Sequence, residues 1–126
     1  MKESASSVTE DAGEAMKARL RSDLRAAMKR GDKRETALLR QLVAAFDNAE
    51  AVPLRQERAS IDRHAFIDGS AEQARRVLAP GDVYALLKGE MDAHIAAAAE
   101  FMRLGAEARS VALETEVEIL RRYVPE

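Results

Sequence analysis

Apolar side chains recur at every third or fourth position through most of this sequence, and this period constrains the fold more than any other feature. The clearest run is LLRQLVAAF, residues 38–46, in which the leucines, the valine and the phenylalanine share one side of a helix. Alanine and leucine are abundant, there are three prolines, and tryptophan is absent, a composition that favours helix over sheet. The sequence therefore predicts an all-α protein.

A first helical hairpin is predicted in the N-terminal half. Asp11, with Glu14 three residues later, is similar to a capping box at the start of a helix. Gly31 suits the left-handed residue beyond a helix end, and Asp32 suits the start of the next helix. Because this join is short, the first two helices are expected to be antiparallel neighbours.

A second helical hairpin is predicted in the C-terminal half. Pro80 suits the first turn of a third helix, Gly105 marks its end, and a fourth helix follows over residues 106–123. Residues 14–126 are therefore expected to form one small multihelical domain of two antiparallel hairpins. Residues 1–13 have almost nothing to bury and are predicted to be a flexible tail.

The connection between the hairpins is the segment with the weakest periodicity. The second helix is expected to stop before Pro53, because the residue preceding a proline avoids the helical region. Residues 52–79 are therefore predicted to be a long irregular connection. Within it, Ser70 with Gln73 resembles a capping box for a short helix through Leu78.

The predicted core consists of the apolar stripes of the four helices. Since 126 residues bury a sizeable core but are too few for two ordinary domains, one core is expected. Its predicted members are Met16, Leu20, Leu24, Ala27 and Met28 in the first helix, Leu38, Leu39, Leu42, Val43, Phe46 and Ala49 in the second, Val83, Leu87, Met91, Ala98, Phe101 and Met102 in the third, and Ala112, Leu113, Val117, Ile119, Leu120, Tyr123 and Val124 in the fourth.

Composition narrows the classes of function and the compartment. The 20 Lys and Arg residues nearly balance the 22 Asp and Glu residues, so total charge does not indicate a nucleic-acid binder. Cysteine is absent, which excludes disulfides and thiolate metal sites and fits a reducing cytosol. No apolar run approaches the roughly 20 residues that span a bilayer, and the first residues do not resemble a secretory signal. The expected location is cytoplasmic, without membrane attachment.

Two segments carry motifs in an order that is typical of a known family. Residues 19–50 read RLRSDLRAAMKRGDKRETALLRQLVAAFDNAE, and residues 96–126 read AAAAEFMRLGAEARSVALETEVEILRRYVPE. The first is similar to the pattern L..DLK.AMK..D followed by LR.L.AAI.NAE, and the second to F...GR..LA..E..E..IL..YLP. These are patterns of the YqeY family, which is related to the C-terminal region of GatB, a subunit of the tRNA-dependent amidotransferase. The chain thus resembles a GatB/YqeY-like protein.

The resemblance implies a small helical module that is accessory to tRNA or to the tRNA-dependent amidotransferase. It implies no catalysis by this chain, because the chemistry of that enzyme lies in other domains and subunits. The sequence departs from the pattern at Gly89, where the family has a lysine followed by a basic run, and at Ala106, where it has an arginine. The chain also stops where longer members continue into a further helical domain, which in GatB is associated with tRNA, so a short form is expected.

A basic segment supplies the candidate RNA-binding residues. Residues 16–58 hold eleven Lys and Arg against six Asp and Glu, whereas residues 59–126 hold eight against twelve. Cations on an outer helix face neutralise RNA phosphates, although such faces often only solvate a protein. With two Tyr and three Phe, mostly placed for the core, base-stacking platforms are not indicated. The candidates for RNA contact are Arg21, Arg25, Lys29, Lys33 and Arg34.

A polar seam is predicted inside the bundle. Glu90 and His94 fall on the apolar side of the third helix and are neighbours at a spacing of four. A buried carboxylate needs a partner, and Arg40, His94 or a backbone donor are candidates, with Glu116 bordering the same region. Either the seam fixes the register of the helices, or it forms a polar pocket in which His94 titrates near neutrality.

No constellation in the sequence supports catalysis, a cofactor or a metal. His64 is isolated, the spacing of Glu90 and His94 is not that of di-iron bundles, and phosphate-binding loops, hydrolase triads and dinucleotide motifs are absent. The expected function is a non-catalytic GatB/YqeY-like module with tRNA or an amidotransferase or translation component as partner. The alternative is a protein-interaction or small-ligand helical module without an RNA role. The oligomeric state is left open.

Overall fold

The computed structural model describes the backbone of residues 11–68 and 76–125 and the side chains of residues 11–51 and 76–125. Within these ranges the chain forms the helices α1 (Ala12–Arg30), α2 (Lys33–Asp68), α3 (Pro80–Arg103) and α4 (Glu107–Arg121). α1 packs mainly against α2, and α3 packs mainly against α4, while α1–α3 and α2–α4 contacts join the two pairs. The predicted all-α fold of two helical hairpins is confirmed.

The first hairpin turns at the predicted residues. Asp11 Oδ1 accepts a hydrogen bond from the Glu14 N–H at 3.2 Å, as expected of a helix cap. α1 is followed by Gly31 with φ of 75°, a left-handed conformation that glycine adopts without strain. Asp32 Oδ1 then accepts from the Glu35 N–H at 3.0 Å and caps α2. Two residues thus reverse the chain, which fixes α1 and α2 as neighbours.

The start of α1 is held closely against the rest of the domain. The Gly13 N–H donates to the Leu78 carbonyl at 3.2 Å. A Cβ at Gly13 would lie 3.0 Å from the Leu78 Cβ and 3.2 Å from Glu50 Oε2, so a glycine permits this approach. The predicted flexible tail over 1–13 is therefore wrong at its last two residues, which belong to α1, and residues 1–10 lie outside the described part of the chain.

α2 is longer than the sequence predicted. It does not end before Pro53 but continues to Asp68, so the predicted irregular connection is wrong over residues 52–68. A proline lacks an N–H and restricts the residue before it, which weakens a helix without always ending it. Residues 54–59, Leu-Arg-Gln-Glu-Arg-Ala, all favour helix, and this preference carries the helix past the proline.

The chain enters α3 through a non-helical segment that crosses the first hairpin. The Arg76 N–H donates to the Glu50 carbonyl at 2.9 Å, and the Leu78 side chain is buried in the core. The predicted short helix through Leu78 is therefore wrong at its C-terminal end, because Leu78 is bound to the first hairpin instead. Its proposed capping residues, Ser70 and Gln73, lie outside the described residues.

The second hairpin also follows its sequence signals. α3 begins at the predicted proline, and the Asp82 carboxylate accepts from the Ala79 N–H at 2.9 Å. Gly105, with φ of 82°, lies in the turn before α4. The buried hydroxyl of Ser110 then donates to the Ala98 carbonyl at 2.8 Å, which ties the start of α4 to α3.

The described side chains form one apolar core between the two hairpins. Two predicted core methionines lie outside it, since Met28 is 50% exposed and Met102 is 46% exposed. Met28 follows the fully buried Ala27, so its side chain leaves the helix in another direction, and Met102 lies beyond the last buried turn of α3. None of the helices in the described ranges is long and apolar enough to cross a membrane. The core comprises Leu20, Leu38, Leu39, Leu42, Phe46, Leu78, Val83, Leu87, Met91, Val117, Ile119, Leu120 and Tyr123.

Candidate functional site

The five predicted RNA-binding residues are all exposed, on α1 and on the first turn of α2. We call them the basic surface, and they are Arg21, Arg25, Lys29, Lys33 and Arg34. Only Arg34 forms an ion pair with a side chain in the described ranges, at 3.3 Å from Glu116 Oε2. The other four cations thus have their charged groups available to a ligand.

Exposed Met28 lies in the middle of these cations. Arg25 and Lys29 flank it in one shallow depression, and Lys33 lines a neighbouring depression of about 340 Å³ on its other side. Arg40, predicted as a member of the polar seam, contributes to this second depression instead, and its guanidinium lies 3.8 Å from the Met28 sulfur. The result is an apolar centre surrounded by cations.

Two nearby carboxylates of the first hairpin are held by partners outside the basic surface. Asp23 accepts a hydrogen bond from the Tyr123 hydroxyl at 2.5 Å. Glu35 is buried and binds Arg30 and Arg122, each at 3.0 Å. The acids on the first hairpin therefore stabilise the fold, and the excess of positive charge remains at the surface.

A buried ion-pair cluster lies at the other end of the first hairpin. Lys17 on α1 is 3% exposed, and its ammonium group contacts Asp47 at 2.8 Å, Glu50 at 2.9 Å and Glu14 at 3.1 Å. Glu50 is equally buried, at 3%. Sequence reasoning missed this cluster. The signal was present, because Lys17 is one turn before Leu20 on the inner side of α1.

The ammonium group of Lys17 holds its proton tightly. Burial alone would lower the pKa of Lys17, but the hydrogen bonds to Asp47, Glu50 and Glu14 outweigh burial and raise the pKa above its usual value. The ammonium form thus persists throughout the physiological range. A lysine of this kind is a structural cation and is a poor general base.

Of the residues predicted for the polar seam, His94 contacts Glu116 and the main chain of Glu90, whereas Arg40 lies elsewhere. His94 Nε2 lies 2.9 Å from Glu116 Oε1, and His94 Nδ1 lies 3.0 Å from the backbone carbonyl of Glu90. Glu90 therefore joins through its main chain. Arg34 takes the position expected of Arg40, because its guanidinium reaches Glu116 from the start of α2.

A further polar cluster joins the C-terminal end of α4 to the first hairpin. Arg122 donates to Glu35, and this hydrogen bond outweighs burial and raises the Arg122 pKa. The Arg19 guanidinium lies 4.6 Å from the centre of the Tyr123 ring and donates to the Arg122 carbonyl. Burial, followed by the hydrogen bond to Asp23, raises the Tyr123 pKa above its usual range. These contacts hold the two hairpins together.

The environment of Tyr123 predicts how the stability of the protein changes at alkaline pH. In a Tyr84→Phe variant, which leaves Tyr123 as the only tyrosine, we expect phenolate absorbance to appear together with the loss of helical circular dichroism. The folded state favours the neutral phenol of Tyr123. The stabilisation that Tyr123 contributes is therefore complete below the usual tyrosine pKa of about 10 and is lost as the pH rises above that value. A fully ionised Tyr123 in a chain with native circular dichroism would contradict the prediction.

A search of the described ranges for metal-binding side chains finds no candidate group. These ranges contain no group of three or more His, Cys, Asp or Glu side chains that could hold a metal ion. Comparisons with protein-family models, with curated proteins and with solved structures find no match to this chain. The resemblance to the GatB/YqeY-like family therefore stays a prediction from the sequence.

Proposed function

We propose that this chain is a non-catalytic, GatB/YqeY-like helical module that contacts tRNA through its basic surface. One observation carries the RNA contact: Arg21, Arg25, Lys29 and Lys33 are exposed and make no ion pair with a side chain in the described ranges. Phosphates are the ligands that such unneutralised cations attract most strongly, and counterion release adds to the affinity.

The arrangement of the cations also favours an extended polyanion over a single phosphate group. Arg21, Arg25 and Lys29 follow one another at intervals of four residues, which on a helix places them about 6 Å apart along one side. Lys33 extends the row across the turn. Because of the family resemblance, we propose tRNA as the polyanion. For the same reason we propose that the chain acts together with the amidotransferase machinery.

The test is the affinity for a tRNA transcript at low salt. The variant Arg21→Gln/Arg25→Gln/Lys29→Gln/Lys33→Gln is expected to bind on the order of tenfold or more weakly than the wild type, because it loses the phosphate contacts. The control replaces four cations of the second hairpin with glutamine: the partly exposed Lys88 and the exposed Arg103, Arg109 and Arg121. It has the same net charge and should retain the wild-type affinity. Equal losses of affinity in the two variants would show that net charge alone explains the effect. No binding of tRNA by the wild type would refute the proposal.

A second candidate, a protein-interaction module, is favoured by a groove between α3 and α4. Ile95 and Val111, which are 45% and 53% exposed, lie over a floor that includes Ala98 and Val117, in an open cavity of about 620 Å³. The two candidates are separable, because Ile95→Glu/Val111→Glu should abolish a protein contact at this groove and leave tRNA binding unchanged.

A further inference from the structure

Met28 is the apolar side chain at the centre of the basic surface. It is 50% exposed, and Arg25 and Lys29 lie beside it on α1. The surrounding cations account for an attraction to phosphates. A thioether does not bind a phosphate, so Met28 can add to the affinity for a nucleic acid only by contacting an apolar part of that ligand.

A depression next to Met28 differs in its chemistry from the rest of the basic surface. We call it the Met28 notch, and its side chains include Met28, Asp32, Lys33, Thr36 and Arg40. Its volume of about 340 Å³ is near the lower end of the range of about 300–1,000 Å³ that is usual for small-ligand pockets. A space of this size suits a single flat group better than a folded segment of a partner.

Arg40 and Met28 together give the notch two groups that contact aromatic rings well. The Arg40 guanidinium lies 3.8 Å from the Met28 sulfur, and Arg40 forms no ion pair with another side chain in the described ranges. A guanidinium is planar and stacks on aromatic rings, and the polarisable sulfur of methionine also makes favourable contacts with them. The notch is therefore suited to a flat aromatic group.

The polar groups of the notch suit a nucleobase better than a phosphate. Asp32 Oδ1 accepts from the Glu35 N–H at 3.0 Å, whereas Oδ2 is 3.8 Å from the Arg30 guanidinium, beyond hydrogen-bond distance. A carboxylate repels a phosphate, but it accepts hydrogen bonds from the amino groups of bases. Thr36 adds a hydroxyl, which can donate or accept.

We propose that the Met28 notch holds the base of an unpaired nucleotide while the cations of the basic surface hold neighbouring phosphates. Lys33 links the two, because it lines the notch and continues the row of cations. In an RNA duplex the bases are paired and stacked, and a protein meets mainly phosphates and ribose hydroxyls. An unpaired base can leave the stack and pack on an arginine plane. The proposal rests on RNA binding by the basic surface and specifies the form of RNA that is bound.

The test compares two RNA probes with the same number of phosphates at the same low salt concentration. One is a short single strand of adenosine and cytidine, which does not pair with itself, and the other is a blunt duplex. We expect Met28→Ala to weaken binding of the single strand by roughly two- to tenfold, because the contact between sulfur and base is lost, and to leave duplex binding unchanged. Met102→Ala is the matched control, since Met102 is 46% exposed but lies on α3, and it should leave both affinities unchanged.

Arg40→Lys tests the other side of the notch without a change in net charge. Lysine keeps the cation that attracts phosphates but lacks the planar group that stacks on a base. We expect this variant also to bind the single strand more weakly and the duplex as tightly as the wild type does.

Contact between Met28 and a base can be observed directly in the NMR spectrum of the methionine methyl groups. The resonance of Met28 is the one that is missing from the Met28→Ala variant. A base packed on the side chain should shift this resonance upfield through its ring current when the single strand binds, and the duplex should not shift it in this way. The Met102 methyl group is the internal control and should not move.

The outcomes separate the Met28 notch from the basic surface. A selective loss of single-strand binding in Met28→Ala, together with the upfield shift of the Met28 methyl resonance, supports the notch. The absence of either result overturns the notch, and RNA binding by the basic surface still stands if the wild type binds one of the probes. If the wild type binds neither probe, the notch and the proposed function are both wrong.

Discussion

Replacing Lys17 by methionine is expected to lower the free energy of unfolding by about 3–5 kcal/mol. Methionine keeps most of the apolar stem but removes the ammonium group that contacts Glu50 at 2.9 Å and Asp47 at 2.8 Å. Asp47 is 45% exposed and is compensated by water. Glu50 is buried, so its carboxylate loses a charged partner in a region where water cannot fully replace it.

Chemical denaturation with the matched variant Lys29→Met measures this effect. Lys29 lies on the same helix but is exposed, so its loss should change the free energy of unfolding by no more than about 0.5 kcal/mol. In the double variant Lys17→Met/Glu50→Gln, the total loss should be smaller than the sum of the two single losses, because neither charge remains. A loss below about 1 kcal/mol in Lys17→Met would show that the buried cluster contributes little to the fold.

Truncating Phe46 to alanine is expected to cost about 3–5 kcal/mol, the usual range for a buried aromatic side chain. Phe46 is fully buried, and the core cluster around it draws residues from both hairpins. The cavity would therefore remove contacts within each hairpin and between them. We expect the denaturant midpoint to fall strongly. The slope of the unfolding free energy against denaturant concentration should stay the same if the domain still unfolds as one unit.

Phe101→Ala is the control for this prediction. Phe101 lies near the end of α3, is only partly buried, and has the Arg109 guanidinium 5.5 Å from its ring centre. Its truncation removes the same atoms at a site that solvent can fill, so the loss of stability should be clearly smaller. Equal losses at the two positions would contradict the placement of the core between the hairpins.

Local signals in the sequence predicted the hairpins because the residues that form them are adjacent along the chain. Gly31 and Asp32 end one helix and begin the next through contacts within a few residues, and Gly105 ends the third helix. The length of α2 was not predictable in the same way. Pro53 is a local signal against helix, and the helix propensity of the following residues outweighed it.

The polar contacts could be predicted only in part, because they join residues that are far apart in the sequence. Glu90 and His94 are near neighbours, but the observed contact is to the Glu90 main chain and not to the carboxylate that was expected to bind His94. The choice of Arg34 over Arg40 depends on how α2 packs against α4. The buried Lys17 was missed because a charged residue on an apolar stripe is normally assigned to solvent. Its partners, Asp47 and Glu50, come from the polar end of the motif LLRQLVAAFDNAE.

The salt dependence of tRNA binding tests the central proposal most directly. If the five cations of the basic surface neutralise phosphates, the logarithm of the association constant should fall linearly with the logarithm of the salt concentration, with a slope of roughly −3.5 to −4.5. The variant without Arg21, Arg25, Lys29 and Lys33 should lose most of that slope, by roughly 0.7 to 0.9 units for each cation removed. Binding that is absent at low salt, or that does not change with salt, would contradict an RNA role for this surface.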